Sequence, residues 1–480
     1  MSAAEPGGIE ATAGSGIAAG PGEGGREAGA PLASDPRFAL GQSVGFAAFV
    51  WGYPLVEMVR TCRLQVIADA AASVSWRARV DRLQHVDRVA DASDRDVVTP
   101  ANDLLYTTGW INLANGPRLL HVPAAARHPG RYFVLALYDA WTENFANPGL
   151  RESPPSGETI VLTGPGTPAH DALPEGLRVV RAPTDLVWLI GRVLAGPGDD
   201  VRTARALQSE IRLECPPGTD TARVPAAVER WQGAAEDPMA ALQARPDEAD
   251  AIAGAFFGNL CRCLADHPPG AADAGLAHWF MRGGLVPGDA FDIAQAAPAW
   301  RAGLVRGLVD AAAWMAGASR SRRARAWSAH FGLGRYGSEH LTRALTAYKG
   351  LGALVAEEAV YAMGDFDADG QALDGRHRYL LRFEPGALPP VDAFWSVTLY
   401  GADRFLHPNA LGRHALGDRT PGLQPDPDGG LSLIVGHTPP AETAHWLPAP
   451  AGGFYLILRM YLPRPELRGW TIPPLRRLSA

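Results

Sequence analysis

Three stretches bring together side chains able to move protons or to hold an anion. In ANDLLYTTGW, Asp103 and Tyr106 stand three residues apart, flanked by Asn102 and Trp110. A carboxylate and a phenol at a loop-to-strand junction become an acid/base pair when burial or a neighbour displaces their proton affinities. The ordinary structural alternative is a turn capped by the aspartate, with the tyrosine in a core. In LYDAWTEN, Tyr138, Asp139 and Trp141 follow an apolar run, at a strand end suited either to substrate contacts or to a capped turn. The third stretch, FWSVTLYGADRFLHPNALGRHALGDRT from Phe394 to Thr420, holds Tyr400, Asp403, His407, Arg413 and Arg419. An acid beside a histidine fixes the imidazole tautomer and poises it as a general base, while arginines grip a carboxylate or phosphate in pairs of hydrogen bonds. Against this, Asp418 and Arg419 could pair with each other and fix a loop.

Three motifs that mark particular catalytic classes are missing from the sequence, which excludes only the classes that bear them. There is no GxSxG elbow, no HExxH and no P-loop, and GPGEGG near the N-terminus has neither a strand before it nor a periodic helix after it. Asp403, His407, His414 and His437 are the residue types of a two-histidine, one-carboxylate metal site, but their spacing is not diagnostic. DFDADG at Asp365 begins like a calcium loop, yet Arg376 occupies the position that requires a bidentate glutamate, so a hairpin turn at Asp369-Gly370 is the better reading. The four cysteines, Cys62, Cys215, Cys261 and Cys263, form no zinc or disulfide pattern and read as reduced thiols. Neither a metal nor an organic cofactor is expected.

The elements that must position these residues follow from composition and period. With 480 residues the chain exceeds one ordinary core, and 54 glycines and 41 prolines favour turn-rich β structure. A net charge of -7, whose single basic run is RSRRAR at Arg320 to Arg325, argues against nucleic-acid binding. Residues 1–34 are Gly, Ala, Glu, Ser and Pro with few large apolar side chains, which predicts a disordered leader without a secretory signal pattern, and hence cytoplasmic residence. From Phe38 to Ala72 apolar residues recur at helical spacing, with a kink or break expected at Gly52 and Pro54. The apolar stretch Ala48 to Val59 is too short to span a bilayer. Short β-branched and aromatic runs then suggest a β sandwich to about residue 195, a helical insert over 196–348, and strands again over 349–480. No repeat of fixed period is visible.

WGYPLVEM, TPANDLLYTTGWINL, RYFVLALYDAWTENFANPG, APTDLVWLIGRVL, DADGQALDG, the Phe394 stretch and HWLPAPAGGFYLILRMYLPRPE occur in one order. In this the chain resembles the tandem bacterial proteins built from domain of unknown function 1254 followed by domain of unknown function 1214. The resemblance implies an α+β chain: an immunoglobulin-like β sandwich, an α-helical bundle insert and a C-terminal jelly-roll-like β domain. It carries no established reaction. Ala101, Leu104 and His445 depart from the family pattern and would alter a pocket's polarity if they lined one. The expected function is cofactor-independent acid/base chemistry (hydrolysis, elimination or isomerisation) on a small organic molecule in an interdomain pocket. Asp103, Tyr106 and His407 are its proton-transfer groups, and Asn102, Trp110, Tyr138, Asp139, Trp141, Tyr400, Asp403, Arg413, Arg419 and Trp446 its substrate contacts. The alternative is a non-catalytic binding protein whose tryptophans stack on a carbohydrate or hydrophobic ligand. The expected partner is a small-molecule ligand, with no nucleic acid and no membrane, in a monomer or a homo-oligomer.

Overall fold

The structure, a computed structural model, describes residues 32–66, 76–95, 98–166, 176–196, 199–216, 223–318 and 326–479. The leader up to residue 31 and the basic run at 320–325 lie outside the described residues.

The first long element is one helix, α1 (Pro36–Val66), which passes through Gly52 and Pro54 without ending there. Every residue from Ala48 to Val59 is buried. Packing on all sides outweighs the roughly 3 kcal/mol that an interior proline costs, so the expected break does not form. By length and composition α1 is apolar enough to cross a membrane, but 67% of its most apolar window is buried within the protein.

Among the described residues nine strands follow in a first β unit: β1 (Gln84–His85), β2 (Leu104–Asn112), β3 (Arg118–Val122), β4 (Phe133–Asp139), β5 (Asn144–Ala146), β6 (Glu158–Thr163), β7 (Arg178–Arg181), β8 (Leu186–Leu194) and β9 (Arg212–Glu214). The second unit is β10 (Trp327–His330), β11 (Ala359–Gly364), β12 (Tyr379–Phe383), β13 (Val391–Gly401), β14 (Ala415–Gly417), β15 (Leu431–Gly436), β16 (Trp446–Pro448), β17 (Phe454–Pro463) and β18 (Arg476–Arg477). The first unit has a five-stranded sheet in the order β1-β2-β8-β4-β5 and a four-stranded sheet β7-β6-β3-β9. The second has β10-β11-β17-β13-β14 and β16-β15-β12-β18. Adding nine to each strand of the first unit gives the second. Even the parallel pairs, β6 with β7 and β15 with β16, coincide. The chain is therefore α+β with mixed helices and largely antiparallel sheets. One strand order is used twice, where two unlike β architectures were expected.

Between the units run α2 (Asp199–Gln208), α3 (Ala226–Glu229), α4 (Pro238–Ala244), α5 (Ala249–Asp266), α6 (Ala274–Arg282), α7 (Pro298–Ala318) and α8 (His340–Gly350). The insert is not purely helical, because β9 and β10 lie within it and complete sheets of the two flanking units. Helix α1 packs on α7, α8 and α5. Glycines set that contact: a Cβ on Gly41 or Gly45 would sit 2.3 Å from the carbonyl oxygen of Trp300 or Leu304. On α7, a Cβ on Gly303 or Gly307 would lie 2.1 or 2.2 Å from those of Phe38 or Gln42. Residues four apart share a helix face, so a Gly-x-x-x-Gly pair on each helix lets the two backbones touch.

Candidate functional site

The position of one cavity follows from alternation along the two central strands. On β8, Trp188, Ile190 and Arg192 face the helices and the second unit, while Val187, Leu189 and Val193 face the partner sheet of their own unit. On β17, Ile457, Arg459 and Tyr461 point to the cavity and Leu456, Leu458 and Met460 to the unit's own core. Where these faces meet, between the units and beneath α8, lies a cavity of about 200 Å³. Its wall includes Trp76, Tyr106, Tyr361, Met363, His330, Leu345 and Lys349.

Arg192 and Arg459 are 8% and 4% exposed, yet among the described residues neither has a carboxylate within ion-pair distance. Their partners are neutral. Arg192 donates to the carbonyl of Gly352 at 2.8 Å and, at 3.4 Å, to the Tyr138 hydroxyl, which itself donates to Gly352 at 2.8 Å. Arg459 donates to the carbonyl of Thr99 at 2.8 Å and to the Thr398 hydroxyl at 3.1 Å; Tyr400 donates to the adjacent Pro100 carbonyl at 2.8 Å. Each arginine thus holds the segment that leads into the other unit's long strand, β11 or β2. Both segments have unusual backbone: Gly352 has φ +81° and would drive a Cβ to 2.5 Å from Ile190, and Thr99 has φ 55°. The pairing is reciprocal at the tyrosines too, since Tyr106 lies across from Arg192 and Tyr361 across from Arg459.

An acid stands three residues before each of these tyrosines. Glu358 accepts from Arg151 Nε at 2.6 Å and from the Tyr132 hydroxyl at 3.1 Å, and burial pushes its carboxyl up to about 7. Both oxygens of Asp103 are buried without a hydrogen-bond partner of good geometry. Burial raises the proton affinity of Asp103, opposed by nearby Ser396 and by the charge of Arg459. Burial likewise raises Tyr106 above its ordinary range, and its hydroxyl accepts from Ala101 N at 2.9 Å.

Residues 80–215 match the family described as "Protein of unknown function (DUF1254)" and residues 358–465 the one described as "Protein of unknown function (DUF1214)". The chain belongs to the tandem DUF1254/DUF1214 family. The VPA0106 protein from Vibrio parahaemolyticus is similar over 92% of this chain and 100% of its own, at 23% identity and a TM-score of 0.64, a likeness of fold. An uncharacterized protein from Burkholderia cenocepacia aligns with 92% of this chain and 95% of its own at 13% identity and a TM-score of 0.42. No curated protein matches.

The two family segments each supply one cavity arginine, Arg192 from the DUF1254 part and Arg459 from the DUF1214 part. Of the proton-transfer residues expected from the sequence, Tyr106 lines the cavity and Asp103 adjoins it through Arg459, but His407 does not line it. The ionisable groups that act on His407 or are acted on by it are Asp403, His414 and His437, and neither Asp103 nor Tyr106 is among them, so the three do not converge. The remaining expected contacts have structural partners. Asn102 donates to the carbonyl of Ala90, and Trp110 donates to Gln65 while stacking on Trp188 at 4.9 Å. Asp139 caps a turn by accepting from the backbone of Trp141 and Glu143, and Trp141 packs on Trp51. Asp403 pairs with Arg95 at the surface, and Arg413 donates to the carbonyl of Trp446 at 3.0 Å. Trp446 donates to Gly436, and Arg419 is exposed. From outside the lining, Tyr138 donates to the arginine-bound carbonyl of Gly352 and Tyr400 to the Pro100 carbonyl next to that of Thr99. The departures from the family pattern, Ala101, Leu104 and His445, do not line the cavity either. Asp367 Oδ1 accepts from the backbone of Asp369 and Gln371, and with Gly370 at φ +74° the DFDADG stretch is a turn. Among the described residues no three His, Cys, Asp or Glu side chains gather as metal ligands, and all four cysteines are unbridged.

Proposed function

We propose that the cavity between the two β units binds a small organic acid with an apolar body. The observation that carries this reading is a pair of buried guanidinium groups lining one cavity whose described wall contains no Asp or Glu. A guanidinium carries five donors, and a carboxylate can take two of them side by side. Burying such a charge without a counter-charge is costly, so a ligand anion that supplies it binds with more than its contact area. The rest of the wall, Trp76, Trp188, Ile190, Leu345, Met363 and Ile457, suits an apolar body. Size narrows the class: an apolar cavity of roughly 150 Å³ accepts benzene, so about 200 Å³ fits one six-membered ring with a short acidic arm, or an aliphatic acid of that bulk.

A second reading, acid/base catalysis on the bound acid, is favoured by one observation, the unbonded buried carboxylate of Asp103 beside Arg459. One experiment addresses both. The full chain is incubated in D2O with phenylacetate or phenylacetamide and followed by ligand-observed NMR. Binding of phenylacetate without binding of the amide is expected; equal binding, or none, removes the anion reading. Deuterium entering the methylene of phenylacetate, and lost in Asp103→Asn, supports catalysis. Binding with no exchange leaves a binding protein.

A further inference from the structure

The cavity wall is unequally supplied with hydrogen-bond donors and acceptors. Its carbonyls beside the arginines are already engaged: that of Gly352 accepts from Arg192 and Tyr138, that of Thr99 from Arg459 and that of Pro100 from Tyr400. On α8 the Thr342 carbonyl accepts from Thr346 Oγ1 at 2.8 Å. The Tyr106 hydroxyl accepts from Ala101 N, which leaves its own proton to give. Further donors are left over. Tyr361 lies directly across from Arg459, Tyr461 stands two residues beyond that arginine on the same face of β17, and both line the cavity. Among the described residues neither hydroxyl has a hydrogen-bond partner in the protein, and neither oxygen is sealed within the packing. Lys349, on the same wall, can only donate, whatever else it meets, and so adds no acceptor.

These hydroxyls accompany the guanidinium groups. Tyr106 is opposite Arg192 and Tyr361 opposite Arg459, and directly opposed residues on one sheet face have Cβ atoms about 5 Å apart. A buried tyrosine O–H ordinarily finds a partner, and leaving it unmade costs free energy. An acid group held by either arginine therefore lies within reach of a tyrosine proton. We infer that the ligand carries a second acceptor oxygen next to its acid group, as a 2-oxo acid does, with the carboxylate on a guanidinium and the keto oxygen accepting from a tyrosine hydroxyl. This rests on the small-acid reading above and narrows it from organic acids in general to those oxygenated beside the carboxylate. A 2-hydroxy acid puts an oxygen in the same place but brings a proton to a wall whose carbonyls beside the arginines are engaged.

Calorimetric titration of the full chain with phenylacetate, mandelate and benzoylformate, which share one skeleton and differ only at the carbon next to the carboxylate, tests the second oxygen. The wild type should bind benzoylformate about three- to tenfold more tightly than phenylacetate, the span of one net hydrogen bond, with mandelate between them. Tyr361→Phe and Tyr461→Phe each remove one oxygen and keep the ring, and at least one of them should bring the ratio of benzoylformate to phenylacetate affinity close to unity. Benzoylformate bound no more tightly than phenylacetate, mandelate bound more tightly than benzoylformate, or a ratio that neither variant lowers would each overturn the inference. If one variant does not fold, the other decides it. Failure of the wild type to distinguish phenylacetate from phenylacetamide is a separate result, which removes the broader anion reading instead.

Discussion

At the scale of single residues, polarity and burial have to be read together. Asp139 is 4% exposed, and burial raises its carboxyl to about 7, although its oxygen accepts the N–H groups of Trp141 and Glu143. An aspartate in the unfolded chain titrates near 4. Between about pH 4 and pH 7 the native state therefore binds more protons than the unfolded state, and stability falls as pH rises through that window, levelling above it. Asp139→Asn keeps an oxygen to accept both N–H groups and cannot ionise. Its stability relative to wild type should improve by roughly 1 to 4 kcal/mol between pH 4.5 and pH 8, read from urea midpoints. A difference independent of pH would show that the carboxyl is ionised throughout. The polar residues that drew most notice in the sequence, Asp403, His407, Arg413 and Arg419, owe their density to a partly solvated connection rather than to a pocket. The cavity arginines sit instead as lone charges in the apolar strands LVWLIGRVL and FYLILRMYLP.

At the scale of elements, the α1–α7 contact makes a sharp demand on the sequence. A methyl group on Gly45 would meet a backbone carbonyl at 2.3 Å, which no rotamer change relieves. Gly45→Ala should therefore cost about 1 to 3 kcal/mol or more by forcing the helices apart. Gly317→Ala, on the same α7 but with nothing within 4 Å of the added Cβ, should gain up to about 1 kcal/mol from helix propensity. Thermal unfolding of the two variants checks the contrast; equal effects would mean the helices yield freely at their crossing. Sequence period revealed β2, β3, β4, β6, β12, β13, β15 and β17 as β-branched and aromatic runs, along with a helical segment between the two groups of strands. It did not reveal that α1 persists through Pro54, because local propensity cannot register burial on every side. The duplication stayed hidden for a different reason: the helical insert separates the copies, and loop lengths differ from strand to strand, so no constant period survives. A trace was readable in Trp188-Leu189-Ile190-Gly191-Arg192 and Tyr455-Leu456-Ile457-Leu458-Arg459, an aromatic-Leu-Ile-x-Arg pattern once in each half. That pattern leads directly to the two arginines of the site.

At the scale of the whole molecule, the question is whether the halves unfold together. One continuous core joins Val44 to Cys62 of α1, Trp110 and Trp188 of the first unit, Phe257 and Leu308 of the insert, and Phe394 and Tyr461 of the second unit. Each unit keeps a further core between its own two sheets. The shared core, with Arg192 bound to Gly352 and Arg459 to Thr99 across the junction, ties the fate of one unit to the other. Tryptophan fluorescence and far-UV circular dichroism should therefore report one coincident denaturant transition, contrary to the usual expectation for a chain of this length. A ligand held by guanidinium groups from both units stabilises only the state in which both are folded. Phenylacetate should accordingly shift the midpoint of the entire transition without splitting it. Two resolved transitions, with phenylacetate moving one alone, would mean that a single unit carries the site and that the cavity between them is incidental.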